Sequence, residues 1–138
     1  QDIYYFTFVN SNTDLNERTG RHTPNSNMSF IIRSNARIIG MKKAYYLDGS
    51  ETDSTWFEND GIVNKVSMYG PTTGTNGPDL ISNYSSNELL IPGQWYTVND
   101  TIKMDHRRMI GHGTSKEDYK MLLNIYSNHL DLIKSLPK

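Results

Sequence analysis

The sequence predicts an α/β fold with parallel strands, and three observations carry that expectation. The first is a nearly unbroken β-branched and aromatic run, Ile3-Tyr4-Tyr5-Phe6-Thr7-Phe8-Val9. It does not alternate polar with apolar, which is the pattern of a strand covered on both faces, as in a parallel sheet. The second is a helical pattern near the end of the chain, where Tyr119, Leu122, Leu123, Tyr126, Leu130 and Ile133 recur at helical spacing. The third is an acidic loop, Asn59-Asp60-Gly61, followed much later by His106. Two such loops at one edge of a parallel sheet can bring a carboxylate and an imidazole together.

Taken in order, the strand at residues 3–9 needs neighbours on both edges. Few other segments resemble it, so its sheet partners are expected to lie upstream of Gln1. Residues 10–29 are rich in Asn, Ser and Thr, with Gly20 and Pro24, and read as a long irregular loop. Ile31, Ile32, Ile38, Ile39 and Met41 mark a short apolar segment whose type the pattern leaves open. Gly49 to Thr55 is polar, and Trp56 and Phe57 anchor the approach to Asp60. Gly70 to Pro78 and Ser82 to Glu88 read as surface loops. In the last element, Ser115 and Asp118 fit a capping box, and Pro137 follows the apolar stripe as a helix stop. Burying the six stripe side chains would contribute roughly 1.5–3 kcal/mol each. The simplest surface for them is one face of the sheet.

Bulk properties narrow the function classes. The 138 residues suit one domain, and no repeat or low-complexity block divides them. Hydrophobic residues make up 36% and mean hydropathy is -0.64, low for a domain that closes its own core. The net charge of -1 gives no basic excess for nucleic acid. No stretch approaches the ~18 apolar residues of a membrane span. Without cysteine, neither disulfides nor thiolate chemistry is available. The chain opens at Gln1 rather than Met, which is expected of a processed product or a fragment.

The chemistry is carried by Asp60 and His106. In serine hydrolases of the α/β type the triad runs nucleophile, acid, histidine along the chain. The acid follows a late strand and the histidine shortly precedes the final helix. Here His106 stands nine residues before the helix cap at Ser115. The carboxylate must hold one imidazole nitrogen so that the other can accept a serine proton. On spacing alone, an isolated Asp and an isolated His in loops are more often surface residues. No Gly-x-Ser-x-Gly elbow occurs in the sequence.

A family resemblance sharpens the reading. Trp56-Phe57-Glu58-Asn59-Asp60-Gly61-Ile62-Val63-Asn64, continued by Val66-Ser67-Met68-Tyr69-Gly70-Pro71, resembles the acid segment of the staphylococcal and thermoalkalophilic Bacillus-type lipases. Asp2 to Phe8 resembles a late strand of that family, and Thr19 to Pro24 the loop beyond it. Gly93-Gln94-Trp95, Met104-Asp105-His106 and a terminal helix ending near Ser135-Leu136-Pro137 continue the match. The similarity runs along nearly the whole chain and corresponds to roughly the last third of such a lipase. It implies the C-terminal portion of a single α/β-hydrolase domain over 1–138, the nucleophile-bearing part being absent. Asp60 becomes the triad acid and His106 the base, with Glu58 able to support the acid. The resemblance also implies secretion and an acylglycerol or related carboxylic ester as substrate of the intact enzyme. The serine, oxyanion donors, lid and zinc ligands of the family would lie upstream. Such a chain alone is expected to be inactive, and to self-associate or bind its missing N-terminal part. The rival from another class is a non-catalytic binding or scaffold protein that kept the hydrolase fold.

One departure from the family concerns calcium. The family places an acidic residue two positions after the histidine and an Asp-Pro pair several residues later, both linked to structural calcium. This sequence has Arg108 at the acidic position and Gly113-Thr114 at the pair, and Asn27 where the family uses a glycine carbonyl. Calcium takes several oxygens, mostly from carboxylates. The expectation is that the site is lost, with the Arg108 guanidinium in its place bonding the same loop carbonyls, or simply solvated. No cofactor is expected. His22, His112 and His129 match no zinc spacing with His106, and the aromatics fall mainly where core packing explains them.

Overall fold

In the computed structural model, residues 3–71, 80–98 and 101–136 are described. Asp2, most of the loop expected over Gly70 to Pro78, and the helix stop at Pro137 lie outside them. The chain divides into two compact units, Gln1–His106 and Arg107–Lys138.

The first unit is built on a three-stranded parallel sheet. Its strands are β1 (Tyr5–Thr7), β4 (Ile81–Asn83) and β5 (Trp95–Thr97), in the order β1-β5-β4. The aromatic run therefore does form a parallel strand, and one partner, β5, comes from this chain, while β1 stands at the edge of the described sheet. Aromatic side chains line the register. Tyr5 pairs with Trp95 and stacks on it at 4.9 Å, and Phe6 faces Tyr96 at 6.0 Å. Such cross-strand pairs contribute beyond their buried area. The expected double coverage is incomplete among the described residues. Val9 is buried, while Tyr5 is exposed and Phe6 and Phe8 are half-buried.

β4 runs from Ile81 into the stretch read as surface loop from Ser82, and the loop beyond Asn10 holds a hairpin. β2 (Thr13–Asn16) pairs antiparallel with β3 (Arg21–Pro24), turning through Gly20 in a left-handed conformation. The polar faces of both strands hid it, since no apolar alternation marks it. The apolar segment at 31–41 resolves into a 3-10 turn, Phe30–Ile32, running into α1 (Arg33–Ile39). Ile32 and Ala36 pack with Met28 as a buried cluster.

The second unit takes in the short helix α2 (His106–Met109) from Arg107 onward and contains α3 (Lys116–Ser135). The Ser115 hydroxyl accepts from the Asp118 N–H at 3.1 Å, as the capping pattern anticipates. The buried face is not the expected one, however. Leu122 and Leu132 are buried, whereas Tyr119, Leu123, Tyr126, Leu130 and Ile133 are exposed. Helical periodicity identified the helix, but α3 carries a second apolar row that periodicity could not rank.

Candidate active site

Because β1 and β5 run the same way, their carboxyl ends emerge together, the position where ligands bind in open α/β sheets. Beyond β1 the chain continues to Asn10, which bridges to Ile102 beyond β5. Ser11 N–H and Ile102 N–H then bond across to Ile102 O and Val9 O, both at 2.9 Å. A few residues further on stands His106.

The loop carrying Asp60 is fastened to the same edge. Asn12 N–H donates to Asn59 O, and Asn59 N–H donates to Thr13 Oγ1. The fully buried Asn59 side chain donates to Phe57 O and Ala36 O and accepts from Gly61 N–H. Gly61 has a φ of +98°, and a Cβ there would stand 2.6 Å from an Ile32 methyl. The turn thus requires glycine both for its dihedral and for the close approach of Ile32, just before α1.

Asp60 is fully buried, yet every lone-pair direction is used. Oδ1 accepts from Ile62 N–H (2.9 Å) and Val63 N–H (2.7 Å). Oδ2 accepts from the Asn10 amide at 3.0 Å and faces His106 Nδ1 at 2.8 Å. The Asp60 carbonyl also accepts from His106 N–H at 3.0 Å, so side chain and backbone hold the histidine together. A carboxylate only accepts, so the imidazole proton sits on Nδ1 and the Nε2 lone pair remains for a proton.

The two residues singled out in the sequence are therefore brought together. Glu58 is not part of the pair. Its carboxylate is bound by Lys65 at 2.9 Å, with Lys103 at 4.0 Å. Burial pushes its carboxyl up, but hydrogen bonds from Lys65 and Ser11 and the nearby lysine charges outweigh this and hold it below the ordinary range. Arg108, in the second unit, forms an ion pair with Asp118 at 3.2 Å. The sequence reading missed Asn10. Its one signal was position, an amide just past the carboxyl end of a parallel-type strand.

Asp60 and His106 line a cleft of about 630 Å³ whose other walls include Trp56, Val63, Met68 and Trp95. Two hydroxyls also line it, and both are committed to backbone carbonyls, Thr7 to Met68 O and Ser67 to Asn64 O. An apolar cleft ending in a buried carboxylate and a half-exposed imidazole can take a proton from an incoming nucleophile, and among the described residues it offers no activated hydroxyl.

No family model matches the chain. Among solved structures it is similar to EstA from Clostridium botulinum, with 30% identity and a TM-score of 0.70 over 88% of this chain and 29% of that one. It is also similar to Staphylococcus hyicus lipase, with 26% identity and a TM-score of 0.72 over 95% of this chain and 30% of that one. This chain has the C-terminal fold of the staphylococcal-type lipases. Lipase 1 from Pelosinus fermentans, at 21% identity, shares the fold with a TM-score of 0.65 over 99% of this chain and 33% of that one. The chain thus spans about a third of the length of these lipase-fold relatives.

Proposed function

We propose that this chain supplies the acid and base of a secreted serine carboxylic-ester hydrolase of the lipase type. His106 takes the proton from a serine that lies outside these 138 residues, and later returns it to the leaving alcohol. Asp60 holds the working tautomer and stabilises the imidazolium as it forms. The ester's acyl or alcohol portion lies along the apolar walls of the cleft. The observation that carries this reading is the 2.8 Å contact between buried Asp60 and His106 Nδ1 at the carboxyl ends of parallel strands. Its support from the relatives is that one is named an Est protein and two are named lipases.

The reading also holds that structural calcium is not required. The family resemblance implies calcium ligands in the histidine loop and at the glycine carbonyl that Asn27 replaces. Here the buried Asp105 carboxylate accepts directly from Ser29 N–H at 2.7 Å, a hydrogen bond between those two segments. The charge of Arg108 is met by Asp118.

Fluorophosphonate labelling tests the proposal. These 138 residues alone should label no faster than unactivated serines. The longest natural polypeptide that carries them should label at one serine elsewhere, slowed about 10³-fold or more by His106→Ala. Rapid labelling at Ser67 would place the nucleophile in this chain and overturn the assignment. Absence of labelling in the long form would favour a scaffold that kept the fold without the activity.

A further inference from the structure

Asn10 presents one amide nitrogen to two acceptors, Asp60 Oδ2 at 3.0 Å and Met104 O at 3.1 Å. Both partners only accept, so the amide orientation is fixed, because a flipped carboxamide would aim oxygen at oxygen. All three residues are buried. The Asn10 backbone is itself pinned, bridging to Ile102 and donating its N–H to Met68 Sδ at 3.4 Å. Oδ2 is the oxygen that meets His106, and Met104 lies two residues before that histidine.

We infer that Asn10 is a positioning residue that sets the separation between Asp60 and the histidine loop. One NH₂ group spans the carboxylate and the Met104 carbonyl, so the oxygen facing Nδ1 and the backbone carrying the imidazole are held by the same donor. Without it, Oδ2 is restrained by the imidazole alone, while Oδ1 keeps its two backbone donors and lets the carboxylate pivot. The inference rests on Asp60 and His106 being the acid and base, and it specifies what keeps them aligned.

The test is nitrogen-15 NMR of the His106 ring in this chain, above the pH where the imidazole titrates. The wild-type ring should be mainly the Nδ1–H tautomer, with a far-downfield Nδ1 proton. In Asn10→Ala that proton should broaden or vanish, and the Nε2–H tautomer should gain at least about threefold. Asn10→Asp keeps the volume but sets an acceptor against Asp60, and should lose the signal at least as fully. Asn10→Ser, which retains a donor on a shorter arm, should recover part of it. An unchanged tautomer and proton in folded Asn10→Ala or Asn10→Asp would overturn the inference and leave the hydrolase reading standing. If the signal responds but the long polypeptide hydrolyses no ester, the positioning role stands and the hydrolase reading falls.

Discussion

At the residue scale, the acid loop rests on a second histidine remote from the cleft. Thr13 Oγ1 accepts from Asn59 N–H and lies 3.2 Å from His22 Nδ1, within hydrogen-bonding reach of the ring. Burial holds the His22 pKa below 6.5, with Lys103 and Lys65 adding to it and Glu58 and Asp14 opposing. A base whose folded pKa is depressed contributes stability above its unfolded value and loses it as pH falls through the folded value. Glu58, also depressed, behaves likewise from about 4.5 downward. Stability should therefore decline on acidification in two windows, the first opening below about pH 6.5. Thermal melts of His22→Gln should show a flatter slope than wild type between pH 7 and 5, with the Glu58 window below about pH 4.5 retained. An unchanged slope would remove His22 from the account. The contact of Asp60 with His106 was anticipated from chain order and characteristic neighbours. Asn10 was not, since nothing in Val9-Asn10-Ser11 says which asparagine will span two loops.

At the scale of elements, the parallel strand and the final helix were legible, and the hairpin was not. β2 and β3 pair polar residues such as Asp14 with Thr23, which leaves no alternation to read. The helix is the more instructive case. Its cap and length followed from Ser115, Asp118 and the apolar recurrence, yet one apolar row is buried and the other exposed. Leu122 is 2% exposed and its neighbour Leu123 is 49% exposed. Leu122→Ala should cost about 2–5 kcal/mol in this chain, whereas Leu123→Ala should fall within about 0.5 kcal/mol. Urea unfolding with fitted midpoints compares them directly, and equal losses would mean that the expected stripe is buried after all. The same pair measured in the longer polypeptide reports whether the outer row is covered there.

For the whole molecule, the low hydrophobic content and the exposed aromatic and aliphatic side chains agree with a chain that matches about a third of its relatives' length. Calcium is the first test at this scale. A ligand at 100 times its Kd adds about 2.7 kcal/mol, which would move the melting temperature by several degrees. We expect no difference between millimolar calcium and excess EDTA, because Arg108 and Gly113-Thr114 stand where the family has acidic residues, and the Arg108 charge is met by Asp118. A clear rise with calcium would point to Asp105 and Glu117 as ligands.

The central claim is that Asp60 orients His106 for ester hydrolysis, and its most direct measurement is kcat on a short-chain ester for Asp60→Asn in the longest active polypeptide. An amide in place of the carboxylate offers Nδ1 the wrong tautomer, so kcat should fall by up to about 10⁴-fold with folding intact. Glu58, held by Lys65 rather than by the imidazole, should give no rescue, so adding Glu58→Gln should change little further. Wild-type kcat in the Asp60→Asn, Glu58→Gln double variant would contradict the account.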